Sequence, residues 1–248
     1  MQSQSRRRPM TTPKAKLGTK WMDVHEIRAA RSKAQTNREA QKRLFSDLKQ
    51  RLEKRQSEVE RSLSGLNSGS QNLVADAVAG YRRELNAESS SIRLAYVQTA
   101  GKLRDDVQST ANHYQSSPQM LARYTLGSEK RSRYIEQIAH SGPAELAAFA
   151  ELAASTKNKD LAAALCSKVY QLEPTKRPFD AAELANVIVG DELKEIQSAF
   201  SEIERLALEA VYDDTAFETG KRNPGRDLHV AVMKQEEDNA AARGNVDV

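Results

Sequence analysis

The chain has 248 residues, 39% of them apolar, 5% aromatic and 29% charged. A thick core is thereby excluded, and the abundance of Ala, Leu, Glu, Arg, Lys and Gln selects long helices over sheets, so the expected class is all-α. A net charge of +4 hides a steep gradient. Residues 1–66 carry seventeen Lys and Arg against seven acids, residues 67–142 nine against seven, and residues 143–248 twelve against twenty. Such polarity suits nucleic-acid contact at one end, or head-to-tail attraction between copies of the chain.

Residues 1–22 form a basic arm. Arg6, Arg7, Arg8, Lys14, Lys16 and Lys20 stand there with no acid through residue 20, and Pro9 and Pro13 deny periodicity. The arm is expected to order only on a partner. The Arg run is not followed by an apolar signal core, and no apolar run approaches the roughly 20 residues of a membrane span.

Residues 23–117 predict a long helical hairpin. Asp23 and Glu26 have the spacing of a capping box, and nothing breaks a helix from there to about Leu63. Its first half is polar apart from Val24, Ile27, Ala30 and Ala34. Its second half carries Leu48, Leu52, Val59, Leu63 and Leu66, with Arg55 in one seam position. From Gln71 to Ser116 apolar residues recur every eleven positions. Val74, Leu85, Tyr96 and Val107 make one row, and Tyr81, Ile92, Leu103 and Tyr114 make a second. Val78, Ser89, Ala100 and Ala111 make a third row of mostly small side chains. Eleven residues in three turns keep a seam nearly straight along a helix, so the first two rows are expected to form a helix–helix interface, with Arg93 exposed. The turn formers from Ser64 to Ser70 predict antiparallel neighbours; matching repeats also allow two helices end to end.

Residues 118–212 predict a compact bundle of shorter helices. Pro118 and Pro143 sit at first helical positions. The segments are Gln119 to Leu126, Glu129 to His140, and an Ala-rich hairpin from Pro143 to Glu173. Beyond Pro174 and Pro178, Asp180 caps a helix with Glu183 in the box position. Gly190 is expected to interrupt it, and Asp191 to open another helix running to about Tyr212. Residues 213–248 read as a polar acidic tail in which Gly220, Pro224 and Gly225 leave room for one short helix, Asp227 to Glu237.

Chemistry-bearing motifs point away from catalysis. His25, His113, His140 and His229 lack a second ligand at metal-binding spacing. Cys166, the sole cysteine, has no nearby His and reads as a small core residue; it excludes an intrachain disulfide and fits a reducing compartment. Gly18-Thr19-Lys20 and Gly220-Lys221-Arg222 lack the remaining residues of a phosphate loop. Adjacent carboxylates such as Asp105-Asp106 and Asp213-Asp214 diverge by about 100° on a helix and do not converge on one substrate.

No enzymatic activity and no cofactor are expected. A basic arm, long helices, a compact middle and an acidic tail are the style of phage virion components of the internal-core and scaffolding type, though no motif supports a named family. The expectation is a structural or assembly protein that binds copies of itself and other subunits, in the cytoplasm or in a virion assembled there. The alternative is a non-specific DNA- or RNA-binding accessory or nucleoid-type protein. In that reading the arm, extended by Arg28 and Arg31, contacts phosphates. The helix from Asp23 to Arg43 has too few bulky apolar residues to insert into a bilayer, so no membrane partner is expected.

Overall fold

The computed structural model describes residues 21–64 and 70–244. The arm through Lys20, the turn at 65–69 and the end of the tail lie outside the described residues. The fold is all-α: α1 (Val24–Leu63), α2 (Ser70–Ala111), α3 (Ser117–Tyr124), α4 (Glu129–Gln137), α5 (Pro143–Thr156), α6 (Lys159–Gln171), α7 (Ala181–Thr219) and α8 (Pro224–Gly244), with a 3₁₀ turn at Pro174–Lys176.

Cross-helix pairs give the directions. The Tyr114 hydroxyl donates to the Met22 carbonyl at 2.8 Å, Asn37 to the Tyr96 carbonyl at 3.1 Å, and Arg51 to Glu88 at 2.8 Å. One number rises as the other falls, so α1 and α2 are antiparallel, as the hairpin reading expects. Against α7 the numbers rise together, Arg28 with Glu195, Arg31 with Glu202 and Arg38 with Glu209. Thus α7 runs parallel to α1. Arg93–Asp214 and Arg104–Glu204 make it antiparallel to α2. The frame is an up-down-up bundle of three long helices, and α8 folds back along α7, held where Arg205 meets Glu237 at 2.9 Å and Arg226 lies over the Tyr212 ring.

Local chemistry explains most element starts. The Asp23 carboxylate accepts from the Glu26 amide at 2.8 Å and the Glu26 carboxylate from the Asp23 amide at 2.9 Å, completing the expected box. Asp180 also caps α7, but it accepts from Ala182 at 2.8 Å, and no Glu183 box forms.

The fold corrects the sequence reading at several points. Helix α2 ends at Ala111, short of Ser116. Helix α7 runs straight through Gly190. A helical glycine costs about 1 kcal/mol relative to Ala, less than the burial of Ile188, Val189, Leu193 and Ile196 around it supplies. It also continues past Tyr212 to Thr219, because Phe217 packs on Phe45 with ring centroids 5.5 Å apart. Gly220, at φ 70°, then takes the left-handed cap that ends the helix. Helix α8 spans 21 residues, opened by Pro224 and the Asn223 side chain.

One core unites residues expected in separate domains. Ile27 of α1, Val107 of α2, Met120 and Leu121 of α3, Leu146 of α5, Leu165 of α6 and Ile196 and Ile203 of α7 belong to a single buried cluster. The boundary expected at 117/118 therefore crosses continuous packing. A smaller cluster of Leu48, Leu52 and Leu85 continues up the hairpin.

Candidate interaction surfaces

The predicted phosphate-contacting residues divide at the start of α1. Arg6, Arg7, Arg8, Lys14, Lys16 and Lys20 lie outside the described residues. Arg28 and Arg31, expected as phosphate contacts, are each paired with a carboxylate of α7 and remain partly exposed. Arg28 grips Glu195 with two bonds of 2.9 and 2.7 Å, and its guanidinium holds that carboxyl below the usual carboxylate range. Arg31 meets Glu202 at 2.5 Å, and Gln35 donates to the other oxygen of the same carboxylate. Further along, Arg38 meets Glu209 at 3.1 Å and also Asp213. Basic α1 thus lies in register against acidic α7, and much of the charge complementarity along these two helices is satisfied within one molecule.

The interface rows on α2 divide as well. Leu85 and Val107 are fully buried, Val74 and Tyr96 half-buried. In the second row Tyr114 is buried edge-on to Phe200, and Tyr81 and Leu103 are half-buried. Ile92 is 51% exposed, whereas Arg93 is 4% exposed, the reverse of expectation. The reason is geometric. Helix α2 is wedged between α1 and α7, so its covered face is shifted by one residue from the row of Tyr81 and Ile92. The residues there are Arg82, Arg93 and Arg104, themselves eleven apart: Arg82 lies against Gly220, Arg93 bonds Asp214 at 2.5 Å, and Arg104 approaches Glu204 at 4.0 Å. The period was visible in these arginines too, but a search for apolar rows passes over them.

Around Arg38 and Arg93 the interior shared by the three long helices turns polar. Arg38, 4% exposed, donates to Gln41 at 2.7 Å, and Gln41 donates to the Ala210 carbonyl at 3.0 Å. Arg93 also donates to the Ser89 hydroxyl at 3.1 Å and covers the Phe217 ring. Arg205 bridges Glu209 at 2.5 Å and Glu237 of α8 at 2.9 Å. The 100° divergence of Asp213 and Asp214 sends one carboxylate to Arg38 on α1 and the other to Arg93 on α2. These carboxylates are engaged by guanidinium groups, an arrangement that fixes helix register.

Other chemistry-bearing groups are quiet. Cys166 is buried with its Sγ 3.3 Å from the Ala181 carbonyl, and burial pushes the thiol up to about 11. Among the described residues no cluster of three or more His, Cys, Asp or Glu side chains is placed to hold a metal ion, and no helix is long and apolar enough to cross a membrane.

The open surface lies at the far end of the hairpin. Helix α7 stops at Thr219, level with Phe45 of α1 and Arg82 of α2, while α1 continues to Leu63 and α2 begins at Ser70. Residues of α1 that face α7 recur every three or four positions: Arg28, Arg31, Gln35, Arg38, Lys42 and Phe45. The same spacing leads on to Lys49, Gln56, Glu60 and Leu63. On α2 the stripe through Arg104, Arg93, Asn86 and Arg82 leads on to Val78, Ala75 and Gln71. Gln56, Glu60, Leu63, Gln71, Ala75 and Val78 line one open groove of about 480 Å³. It prolongs the axis of α7. A second groove, about 630 Å³, separates α7 from α8 beside Ser198, Ser201 and Met233.

Comparison of the chain with protein-family models, with curated proteins and with solved structures returns no match.

Proposed function

We propose that the protein is a non-enzymatic structural subunit that assembles with copies of itself, and with other subunits, into a larger particle. The observation that carries this reading is the hairpin running on past the end of α7, which leaves a two-helix stretch with a half-buried seam where the rest of the bundle has three helices. Two helices bury too little of their facing sides to form an independent core, so such a stretch gains stability from a further helix. A virion core or scaffold assembled in the cytoplasm is a particle of this kind. Sedimentation equilibrium of the purified chain tests the reading. A mass that rises with concentration to a defined multiple of the 27.6 kDa chain is expected, and a monomer throughout contradicts it.

A second reading rests on the arm, whose six basic residues are not offset by any acid within residues 1–20. If they bind phosphates, replacing Arg6, Arg7 and Arg8 with Ala weakens DNA binding for every sequence alike. The slope of log affinity against log salt then flattens by up to about three. An unchanged slope removes this reading and leaves the first intact.

A further inference from the structure

We infer that α8 is a strap that comes off α7 about the turn from Gly220 to Asn223 while the three long helices stay packed, and so hides or exposes one face of α7. The device works in a single chain, whether or not copies assemble. Its basis is how little of α8 is covered. Among the described residues none of the fully buried ones belongs to α8. From Pro224 to Ala240 only Val230, Met233 and Glu237 are even partly covered, a stripe one side chain wide, and Leu228 and Val232 are exposed on the outside. A helix in a protein draws most of its stability from the face it packs, and this face is thin.

Two polar contacts latch the strap. Near the turn, Arg226 lies over the Tyr212 ring, 5.1 Å from its centre; three turns on, Glu237 accepts two bonds of 3.0 and 2.9 Å from Arg205. Beside that ion pair the two helices already stand apart, across the groove of about 630 Å³ that separates Met233, Glu236 and Ala240 from Ser198 and Ser201. Breaking a buried pair is costly when one charge is left uncompensated. Undocking here strands neither charge: Arg205 keeps Glu209 of its own helix at 2.5 Å, and Glu237 returns to water. The turn suits a hinge. Gly220 ends α7, and the Asn223 side chain starts α8 by accepting from the Gly225 amide at 3.0 Å and the Arg226 amide at 3.4 Å. Each cap belongs to its own helix, so rotation at Lys221 and Arg222 uncaps neither. The face uncovered runs along α7 from Lys194 to Tyr212, about 27 Å.

Hydrogen exchange of the full chain, read by mass spectrometry in native buffer and across a series of low urea concentrations, tests the strap. Peptides from residues 226–240 are expected to exchange at least about a hundredfold faster than peptides from residues 184–206 of α7, with a urea dependence well below that of global unfolding. Glu237→Ala is expected to speed exchange in α8 about tenfold further and to leave α1, α2 and residues 184–206 unchanged. Alanine is the better helix former, so faster exchange in this variant reports lost docking and not a weaker helix. If α8 exchanges at the rate of α7 and with the urea dependence of global unfolding, the two form one cooperative unit and the strap is overturned. If Glu237→Ala speeds exchange equally throughout the bundle, or nowhere, the latch is overturned.

Discussion

Arg93 and Ile92 are neighbours whose roles a residue-by-residue count of hydrophobicity inverts. Arg93 reaches Asp214, Ser89 and the Phe217 ring from a buried position, and removing one member of a buried ion pair strands the other. Asp214 keeps some contact with water, which places Arg93→Ala near the low end of the roughly 3–5 kcal/mol typical of such losses. Ile92→Ala, at a half-exposed position, is expected to change stability by less than about 0.5 kcal/mol. Urea midpoints of the two variants check this; a larger loss at Ile92 would mean that α2 is rotated from the orientation described. Cys166 offers a second check. Its thiol, raised to about 11 and enclosed by α6 and α7, should resist an aromatic disulfide reagent in the native state and react at once in urea.

At the scale of helices, the α1–α7 ladder grows more buried from Arg28 toward Arg38. Arg28 and Glu195 are both well exposed, so Arg28→Ala should leave the urea midpoint unmoved, as exposed pairs contribute little. Arg38→Ala should lower it clearly, because Gln41, Glu209 and Asp213 all lose a buried partner. Acid should act through the same kind of pair. Arg28 and Arg51 hold Glu195 and Glu88 below their ordinary range, and at Glu192 burial works upward but the Tyr124 hydroxyl and Lys159 ammonium outweigh it. A lowered folded value means stability present above about pH 4.3, the unfolded value, and lost as pH falls through the folded one. Glu237, raised by burial despite Arg205, has the opposite sign. Burial and Arg123 lower His113, so its contribution is present above about pH 6.5 and lost below it. A urea-midpoint profile should therefore be flat near neutrality, dip slightly below about pH 6.5 and fall only modestly below about pH 4.3, because the pairs of Glu195 and Glu88 are exposed. His113→Gln should erase only the upper dip.

These elements also mark how far the sequence could be read. Helix class, the Asp23 cap, the hairpin and its direction follow from periodicity and turn chemistry, which act within a few residues. The run of α7 through Gly190 and on to Thr219 does not, because the packing of Ile188, Val189 and Phe217 against distant helices decides it. Arg82, Arg93 and Arg104 repeat as plainly as the apolar rows, yet their placement depends on Asp214, Glu204 and the end of α7, a hundred or more residues away.

For the whole molecule the decisive feature is where the charge gradient goes. An excess of base in the first third and of acid in the last third suggested attraction between copies, and the fold satisfies part of it internally by laying α1 parallel to α7. In the proposed assembly, contact falls to surfaces the bundle leaves uncovered, foremost the hairpin beyond Thr219. The most direct measurement is the mass of the full-length chain by sedimentation equilibrium over a wide concentration range, repeated at high salt. A concentration-dependent oligomer that persists in salt, because its contact is mainly apolar helix packing, is the expected result. A monomer at every concentration would contradict the account.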